Sequence, residues 1–125
     1  MKILVINAAL SDLRALRAAM GPQHDVWVAN GLKSAPTLYK SFKPDAVVFF
    51  TRDLNPAHPQ LIRAFQNEHN CPILALAPFT HLNLINQVLD WGVDSYLNFP
   101  CDIQRVKKRL LSLMEADRMT GGIHA

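Results

Sequence analysis

Three runs of consecutive apolar residues recur along the chain, at residues 3–6, 46–50 and 73–77. Strand-length runs that are apolar at every position are typical of strands buried on both faces of a parallel sheet. Two segments of more mixed character, "DVWVA" at residues 25–29 and "DSYLNF" at residues 94–99, indicate strands at the edges of that sheet. The pattern therefore predicts five strands, of which three are central.

The segments between these strands carry apolar residues at helical spacing, which predicts five helices. Ser11 is a candidate N-cap for the first helix, with Gly21 as its C-terminal glycine. Thr80 is a candidate N-cap for the fourth helix, which would end at Gly92. The residues predicted to face inward are Leu82, Ile85, Val88 and Leu89 in the fourth helix and Ile103, Val106, Leu110 and Leu113 in the last.

Alternating strands and helices predict an α/β fold of the flavodoxin-like type, a doubly wound parallel sheet in the strand order 2-1-3-4-5 with five helices. A chain of 125 residues that is 50% hydrophobic suits one core, so residues 1–115 would form one domain. Residues 116–125 would be a flexible tail or the start of a linker. In such sheets a ligand binds in the crevice at the carboxyl ends of the first and third strands.

Charge, cysteine and histidine content limit the partners, metal sites and cellular location that can be expected for this domain. The formal net charge is +3, only 18% of the residues are charged, and no block of Lys or Arg occurs, so direct nucleic-acid binding is not expected. Cys71 and Cys101 have no metal-site spacing and are expected to be free thiols. The histidines are scattered without metal spacing and are expected in solvated loops or at helix starts. With no signal peptide or membrane-spanning run evident, we expect a cytoplasmic protein that does not bind membranes.

Four segments of the chain, in order and in register, carry a resemblance to a known family. They are "KILVIN" at the first strand, "KPDAVVFF" at the third, "CPILALA" at the fourth and "WGVDSYLNFPCD" at the fifth strand and its following turn. In these segments the chain resembles the receiver domain of bacterial response regulators, from residue 2 to about residue 115. The resemblance implies the same doubly wound fold and a role in two-component signal transduction.

The resemblance also implies a phosphoryl-transfer site at the carboxyl ends of the strands. Receivers accept a phosphoryl group on an aspartate at the end of strand three, with an acidic pair that binds Mg²⁺, a Thr or Ser after strand four and a Lys after strand five. The matching positions in this chain are Asn7, Ala8, Phe50, Ala77 and Phe99. None of these side chains can supply that chemistry. The chain is therefore expected to be a degenerate receiver, or pseudo-receiver, with no enzymatic activity and no bound Mg²⁺.

Two other uses of this region stay open. The rings of Phe50 and Phe99 could fill the former phosphate site, or they could border an apolar pocket that binds a small molecule and makes the domain a sensor. Asp53, in the loop after strand three, could replace the missing phosphoacceptor aspartate. The alternative for Asp53 is a solvated loop residue with no chemical role.

Two further positions match receivers closely. Tyr96 corresponds to the aromatic residue that moves inward when the Thr or Ser after strand four swings towards the phosphoryl group. Since Ala77 has no hydroxyl, we expect Tyr96 to keep one rotamer and to serve as contact surface, or simply to be a half-buried tyrosine of an edge strand. Pro100 follows Phe99 where receivers have a cis peptide bond, so a cis-proline turn is expected here.

Receivers commonly pair through the face formed by helix four, strand five and helix five. In this chain the predicted interaction face carries charges of both signs: Asp90, Trp91, Asp94, Tyr96, Arg105, Lys108 and Arg109. Such a face could bind a protein partner or pair with itself across a two-fold axis. The sequence therefore indicates a regulatory interaction module, in which case the chain would be the N-terminal domain of a transcription or antitermination regulator.

Overall fold

The chain forms a five-stranded, fully parallel sheet with helices on both faces in a computed structural model, which describes residues 1–121. The strand order is β2-β1-β3-β4-β5, which confirms the predicted doubly wound, flavodoxin-like fold. In chain order the elements are β1 (Lys2–Ile6), α1 (Leu10–Met20), β2 (Asp25–Ala29), α2 (Ala35–Phe42), β3 (Ala46–Phe50), α3 (Ala57–Glu68), β4 (Ile73–Ala77), α4 (Leu82–Leu89), β5 (Ser95–Asn98) and α5 (Ile103–Gly121).

Two hydrophobic clusters cover the two faces of the sheet. Because successive strand residues point to opposite faces, Ile3 and Val5 of β1 pack with α1 and α5, whereas Leu4 and Ile6 pack with α2, α3 and α4. Every residue of β3 and β4 is buried, as the unbroken apolar runs predicted. The buried central strands therefore fix the points at which the chain leaves the sheet. These points position the loops at the carboxyl edge of the sheet.

The helix ends differ in part from the expectations. The N-cap of α1 is Ala9 rather than Ser11, because the helix starts immediately after the loop that leaves β1. The N-cap of α4 is His81 rather than Thr80. The expected C-terminal glycine of α1 is confirmed, since Gly21 adopts a φ of 83°, a conformation that is strained for residues with a side chain.

Helix α4 buries less of its surface than its apolar spacing predicted. Leu82 is 69% exposed and Leu89 is 40% exposed, so the expectation that both face inward was wrong. Val88 is the only residue of α4 that is fully buried. The physical reason is position: α4 lies beside β5, the edge strand, so one side of the helix has no neighbouring element to cover it.

Helix α5 continues beyond the expected domain end at residue 115 and runs to Gly121. Its first half packs on the sheet through Val106, Leu110 and Met114, and the residues from 115 to 119 are exposed. Residues 122–125 of the expected tail lie outside the described residues. No helix within residues 1–121 combines the length and the hydropathy that crossing a membrane requires.

Candidate functional site

A crevice of about 370 Å³ lies at the carboxyl edge of the sheet, where the fold predicts a ligand site. Asn7, Phe50, Ala77 and Phe99 line this crevice, so four of the five positions that match the receiver site come together there. Ala8 instead packs against the cluster beneath α1 and α5. Asn7 has a φ of 63°, a left-handed conformation that asparagine tolerates better than most residues.

Two phenyl rings among the lining residues of this crevice contact each other. Phe50 and Phe99 meet edge-to-face, with ring centroids 5.2 Å apart and an interplanar angle of 90°. Phe50 is only 7% exposed. Such an aromatic pair contributes about 0.5–1.5 kcal/mol beyond the area that it buries. The two positions therefore add to the core of the domain.

Asp12 and Arg52 also line the crevice. Arg52 was expected there, because residues 50–53 follow the third strand at its carboxyl end, but Asp12 was missed. Asp12 lies in the first turn of α1, and a count of residues from the end of β1 could have placed it above the crevice. Arg52 follows Thr51 directly after β3. These two side chains give the crevice one carboxylate and one guanidinium at its rim.

The residues of the crevice do not fit a receiver-type Mg²⁺ site. Mg²⁺ prefers oxygen ligands and is usually held by one or two carboxylates near the phosphate. Asn7, Ala8 and Phe50 stand where receivers have three acidic residues, which leaves Asp12 as the one carboxylate among the described lining residues.

Asp53 lies outside the crevice, on an exposed part of the β3–α3 loop. Its backbone carbonyl accepts a hydrogen bond from the Thr51 hydroxyl at 2.7 Å. Its negative charge acts on His58, where it opposes the dominant effect of burial, which lowers the pKa of that histidine. The carboxylate is thus separated from the positions that would have to activate it as a phosphoacceptor.

His58 lies at the start of α3, one of the two places expected for histidines, but it is buried rather than solvated. Only 2% of this residue is exposed, and its ring packs edge-on against Phe49 and Trp91, with centroids 5.0 Å and 5.1 Å away. Its Nδ1 lies 3.3 Å from the Thr51 hydroxyl oxygen. Because the Thr51 hydroxyl donates to the backbone carbonyl of Asp53, its oxygen can accept a hydrogen bond from Nδ1–H of His58, which favours the tautomer with the proton on Nδ1. The signal was the spacing of His58, Leu61, Ile62 and Phe65, which places all four on the buried stripe of α3.

Two residues of the predicted interaction face are engaged inside the domain. Trp91 is half-buried and packs on His58 of α3, away from α5. Asp94 accepts a hydrogen bond from the backbone N–H of Ile73 at 2.8 Å, which fixes the start of β4. Burial raises the pKa of the Asp94 carboxyl, and that hydrogen bond opposes the shift. Both residues therefore stabilise the fold around β5.

Tyr96 points inward beneath the β4–α4 loop. Its hydroxyl lies 2.9 Å from the carbonyl oxygen of Ala77 and 3.0 Å from that of Phe79, and it donates to this pair of acceptors. The ring is half-buried against the cluster beneath α2, α3 and α4, and burial raises the pKa of the phenol. The hydroxyl thus ties β5 to a loop whose Ala77 has no side-chain hydroxyl of its own.

The three basic residues of the predicted face border a groove of about 360 Å³ between β5 and α5, whereas Asp90 is exposed at the end of α4. Arg105, Lys108 and Arg109 line it together with Leu97 and Ser112. Arg109 donates from Nη1 to the Ser95 hydroxyl at 2.5 Å, which orients it along the edge strand. On α4, Leu82 and Leu89 are exposed, although the sequence analysis had assigned them to the core.

Comparison with known proteins gives structural neighbours without close sequence relatives. No protein family model matches this chain, and no curated protein matches it in sequence. A two-component response regulator from Clostridium difficile matches with a TM-score of 0.80 at 19% identity, over 92% of this chain and 96% of that one. The receiver domain of Francisella response regulator 1452 matches with a TM-score of 0.76 at 22% identity, over 92% of this chain and 97% of that one.

A third neighbour is much longer than this chain. NtrX from Brucella abortus, solved in complex with ATP, matches with a TM-score of 0.82 at 13% identity. The match covers 98% of this chain and 29% of NtrX. The strand order, the crevice at the carboxyl edge and these three matches agree, and the chain therefore has the receiver-like fold of response regulators.

Proposed function

We propose that this chain is a phosphorylation-independent signalling module that binds another protein or a second copy of itself, and that it is not an enzyme. The observation that carries the proposal is the edge-to-face contact of Phe50 with Phe99. By the resemblance, these positions correspond to the phosphoacceptor aspartate and to the lysine that pairs with the phosphoryl group. A phenyl ring offers neither a nucleophilic atom nor a charge, so phosphoryl transfer to position 50 has no chemical route.

The rival phosphoacceptor, Asp53, has weaker support. Its side chain is exposed and does not line the crevice that Arg52 and Asp12 border. A small-molecule sensor is also less well supported, because Phe50 and Phe99 pack on each other and leave a crevice of about 370 Å³, near the lower end of the roughly 300–1,000 Å³ of ligand pockets. An interaction module requires neither a phosphoacceptor residue nor a ligand pocket.

The binding surface that we propose is the outer side of α4, β5 and α5. Leu82 and Leu89 supply exposed apolar area, and Arg105 and Lys108 supply positive charge beside it. An apolar centre with a charged margin is the usual composition of a protein interface. Trp91 and Asp94 contribute through the fold, since they hold α3 and β4 in place behind this surface.

Tyr96 supports the independence from phosphorylation. Its hydroxyl is already bonded to the carbonyls of Ala77 and Phe79, so its inward position needs no phosphoryl group to trigger it. The surface would then present one conformation at all times. Binding would be controlled by the amount or localisation of the partner.

We propose a regulatory role in the cytoplasm, as the N-terminal domain of a transcription or antitermination regulator. The match to 29% of NtrX supports the idea that such a domain can be part of a longer chain. Asp90 gives the same surface an acidic group beside its bases, so pairing between two copies stays an option within this proposal.

Incubation with acetyl phosphate and Mg²⁺, followed by intact-mass measurement, tests the chemical half of the proposal. We expect no gain of a phosphoryl group, whereas a receiver that keeps its strand-three aspartate gains one under the same conditions. A phosphorylated species that disappears in an Asp53→Asn variant would establish Asp53 as the acceptor and would contradict the proposal.

A further inference from the structure

Three basic side chains line the groove of about 360 Å³ between β5 and α5. They are Arg105, Lys108 and Arg109, and no acidic residue is among the described lining residues of this groove. Arg109 is half-buried, and its Nη1 donates to the Ser95 hydroxyl at 2.5 Å and to the Tyr96 carbonyl at 3.4 Å. Because a guanidinium carries further N–H donors, Arg109 is held in place and can still donate to a ligand.

The other two bases of the groove have no partner within the domain. Among residues 1–121, no hydrogen bond or ion pair engages the side chain of Arg105 or Lys108, and both residues are exposed. The carboxylates of Asp94 and Asp102, which precede and follow β5 in the sequence, accept backbone N–H groups instead. The positive charge of the groove is therefore available to a negatively charged partner.

The spacing of the bases along α5 indicates the shape of that partner. Arg105 and Arg109 are four positions apart, so they lie on one side of the helix, about 6 Å apart along its axis. Lys108, three positions after Arg105, lies on the same side. In an extended chain every second side chain points the same way, about 6.6 Å further along. Two acidic side chains at alternate positions of an extended segment therefore match the two arginines.

We propose that this groove binds an extended acidic segment of a partner protein, whose carboxylates at alternate positions pair with Arg105 and Arg109. Lys108 adds positive charge between these two contacts. An arginine can hold a carboxylate through two parallel N–H donors, which gives such a contact geometric as well as electrostatic specificity. The inference rests on the interaction function proposed above and names the chemistry of the partner at the α5 side of that surface.

Two other occupants match the groove less well. A nucleic acid carries a charge at every nucleotide and favours a long basic surface, whereas this chain has a net charge of +3 and three bases in one short groove. A second copy of the chain presents the exposed Asp90 on the same face, but its Asp94 carboxylate is already held by the N–H of Ile73. A separate acidic segment supplies both carboxylates at the required spacing.

An NMR titration of the full chain with a short peptide that carries two glutamates at alternate positions tests the proposal. We expect saturable amide shifts at Arg105, Lys108, Arg109 and Ser112, and binding that weakens as the salt concentration rises from about 0.01 M to about 0.15 M. A peptide of the same composition with adjacent glutamates places one carboxylate on the far side of the strand, and a peptide with glutamines has none. Both should bind about tenfold more weakly through loss of charged hydrogen bonds.

A pair of alanine variants locates the binding site. Arg105→Ala combined with Lys108→Ala should weaken binding of the alternating peptide about tenfold. Lys40→Ala combined with Arg63→Ala, on α2 and α3, removes the same amount of charge outside the groove and should leave the affinity unchanged. All four residues are exposed, so neither pair should disturb the fold.

Several results would overturn the proposal. Amide signals of the groove that do not shift, or equal affinity for the glutamine peptide, would show that the groove has no preference for carboxylates. Tighter binding of a single-stranded RNA oligonucleotide at the same residues would assign the groove to nucleic acid. Self-association that is lost in Arg105→Ala with Lys108→Ala would assign it to a second copy. None of these outcomes decides whether the chain accepts a phosphoryl group or binds through α4, which separate measurements test.

Discussion

At the residue scale, the phenyl rings at positions 50 and 99 combine a chemical and an energetic effect. Phe50 is almost fully buried and contacts Phe99 at right angles, so restoring a carboxylate there places a charge among apolar groups. The loss of phosphoryl chemistry and the gain of packing are therefore consequences of the same side chains. Replacing Phe50 by aspartate should therefore weaken the packing without bringing back phosphoryl transfer.

We predict that Phe50→Asp destabilises the domain and does not restore phosphorylation. Loss of the ring and burial of the carboxyl group should lower the free energy of unfolding by about 3–5 kcal/mol, as for large-to-small changes in cores. Urea unfolding measures this change. Phe50→Leu, which keeps an apolar side chain, is the control and should cost only about 1 kcal/mol. A Phe50→Asp variant as stable as the wild type would show that the crevice is still built for charge.

Two histidines whose pKa is lowered by burial or partial burial predict a loss of stability in acid. Burial lowers the pKa of His58 and of His24 below the usual value for histidine, so each imidazole binds its proton less readily when the domain is folded. The unfolded chain takes up protons below about pH 6.5, while the folded chain resists until lower pH. Stability should therefore be complete above that pH and should fall as the pH drops through it.

Unfolding in urea at about pH 7.5 and at about pH 5.5 checks this expectation. Trp91 is a convenient fluorescent reporter because its ring contacts His58. His58→Gln should reduce the difference in stability between the two pH values, whereas His81→Gln, at an exposed position, should not. If His58→Gln keeps the same pH dependence of stability as the wild type, His58 is not a source of the loss of stability in acid.

At the element scale, α4 shows the limit of prediction from spacing. The apolar positions of this helix are spaced for one buried side, yet only Val88 is buried and Leu82 and Leu89 are exposed. Periodicity tells where apolar residues lie around a helix, but it does not tell how much of that side a neighbour will cover. The neighbour here is an edge strand, and the topology decides the exposure. The same reasoning explains His58, whose helical position was informative although its residue type suggested a solvated site.

We predict that Leu82→Ser combined with Leu89→Ser leaves the free energy of unfolding within about 0.5 kcal/mol of the wild type for each change, since both side chains are exposed. Self-association or partner binding through α4 should be lost in the same variant. Sedimentation velocity over a range of concentrations measures self-association, and the midpoint of urea unfolding measures the stability.

Val88→Ala is the control for this pair of substitutions. It changes a buried residue of the same helix and should destabilise the domain by about 0.5–3 kcal/mol without removing the exposed apolar area. If the serine variant proves strongly destabilised, α4 depends on these leucines for folding, and they are not a free binding surface.

At the scale of the whole molecule, the fold was predictable because its determinants are local and repeated. Unbroken apolar strands and alternating helices leave a small number of topologies, and the observed strand order is the expected one. The meeting of Asn7, Phe50, Ala77 and Phe99 in one crevice followed from that topology. Asp12 was not predicted, because its place at the crevice depends on how the first turn of α1 lies over the sheet.

The central claim is that the receiver fold persists here without receiver chemistry. A two-dimensional amide NMR spectrum, recorded before and after addition of Mg²⁺ with beryllofluoride, tests it most directly because beryllofluoride mimics the phosphoryl group. We predict no saturable change in any amide signal around the crevice. Saturable shifts that cluster at Asn7, Asp53 and Tyr96 would contradict the claim and would identify the chain as a phosphoacceptor with a relocated aspartate.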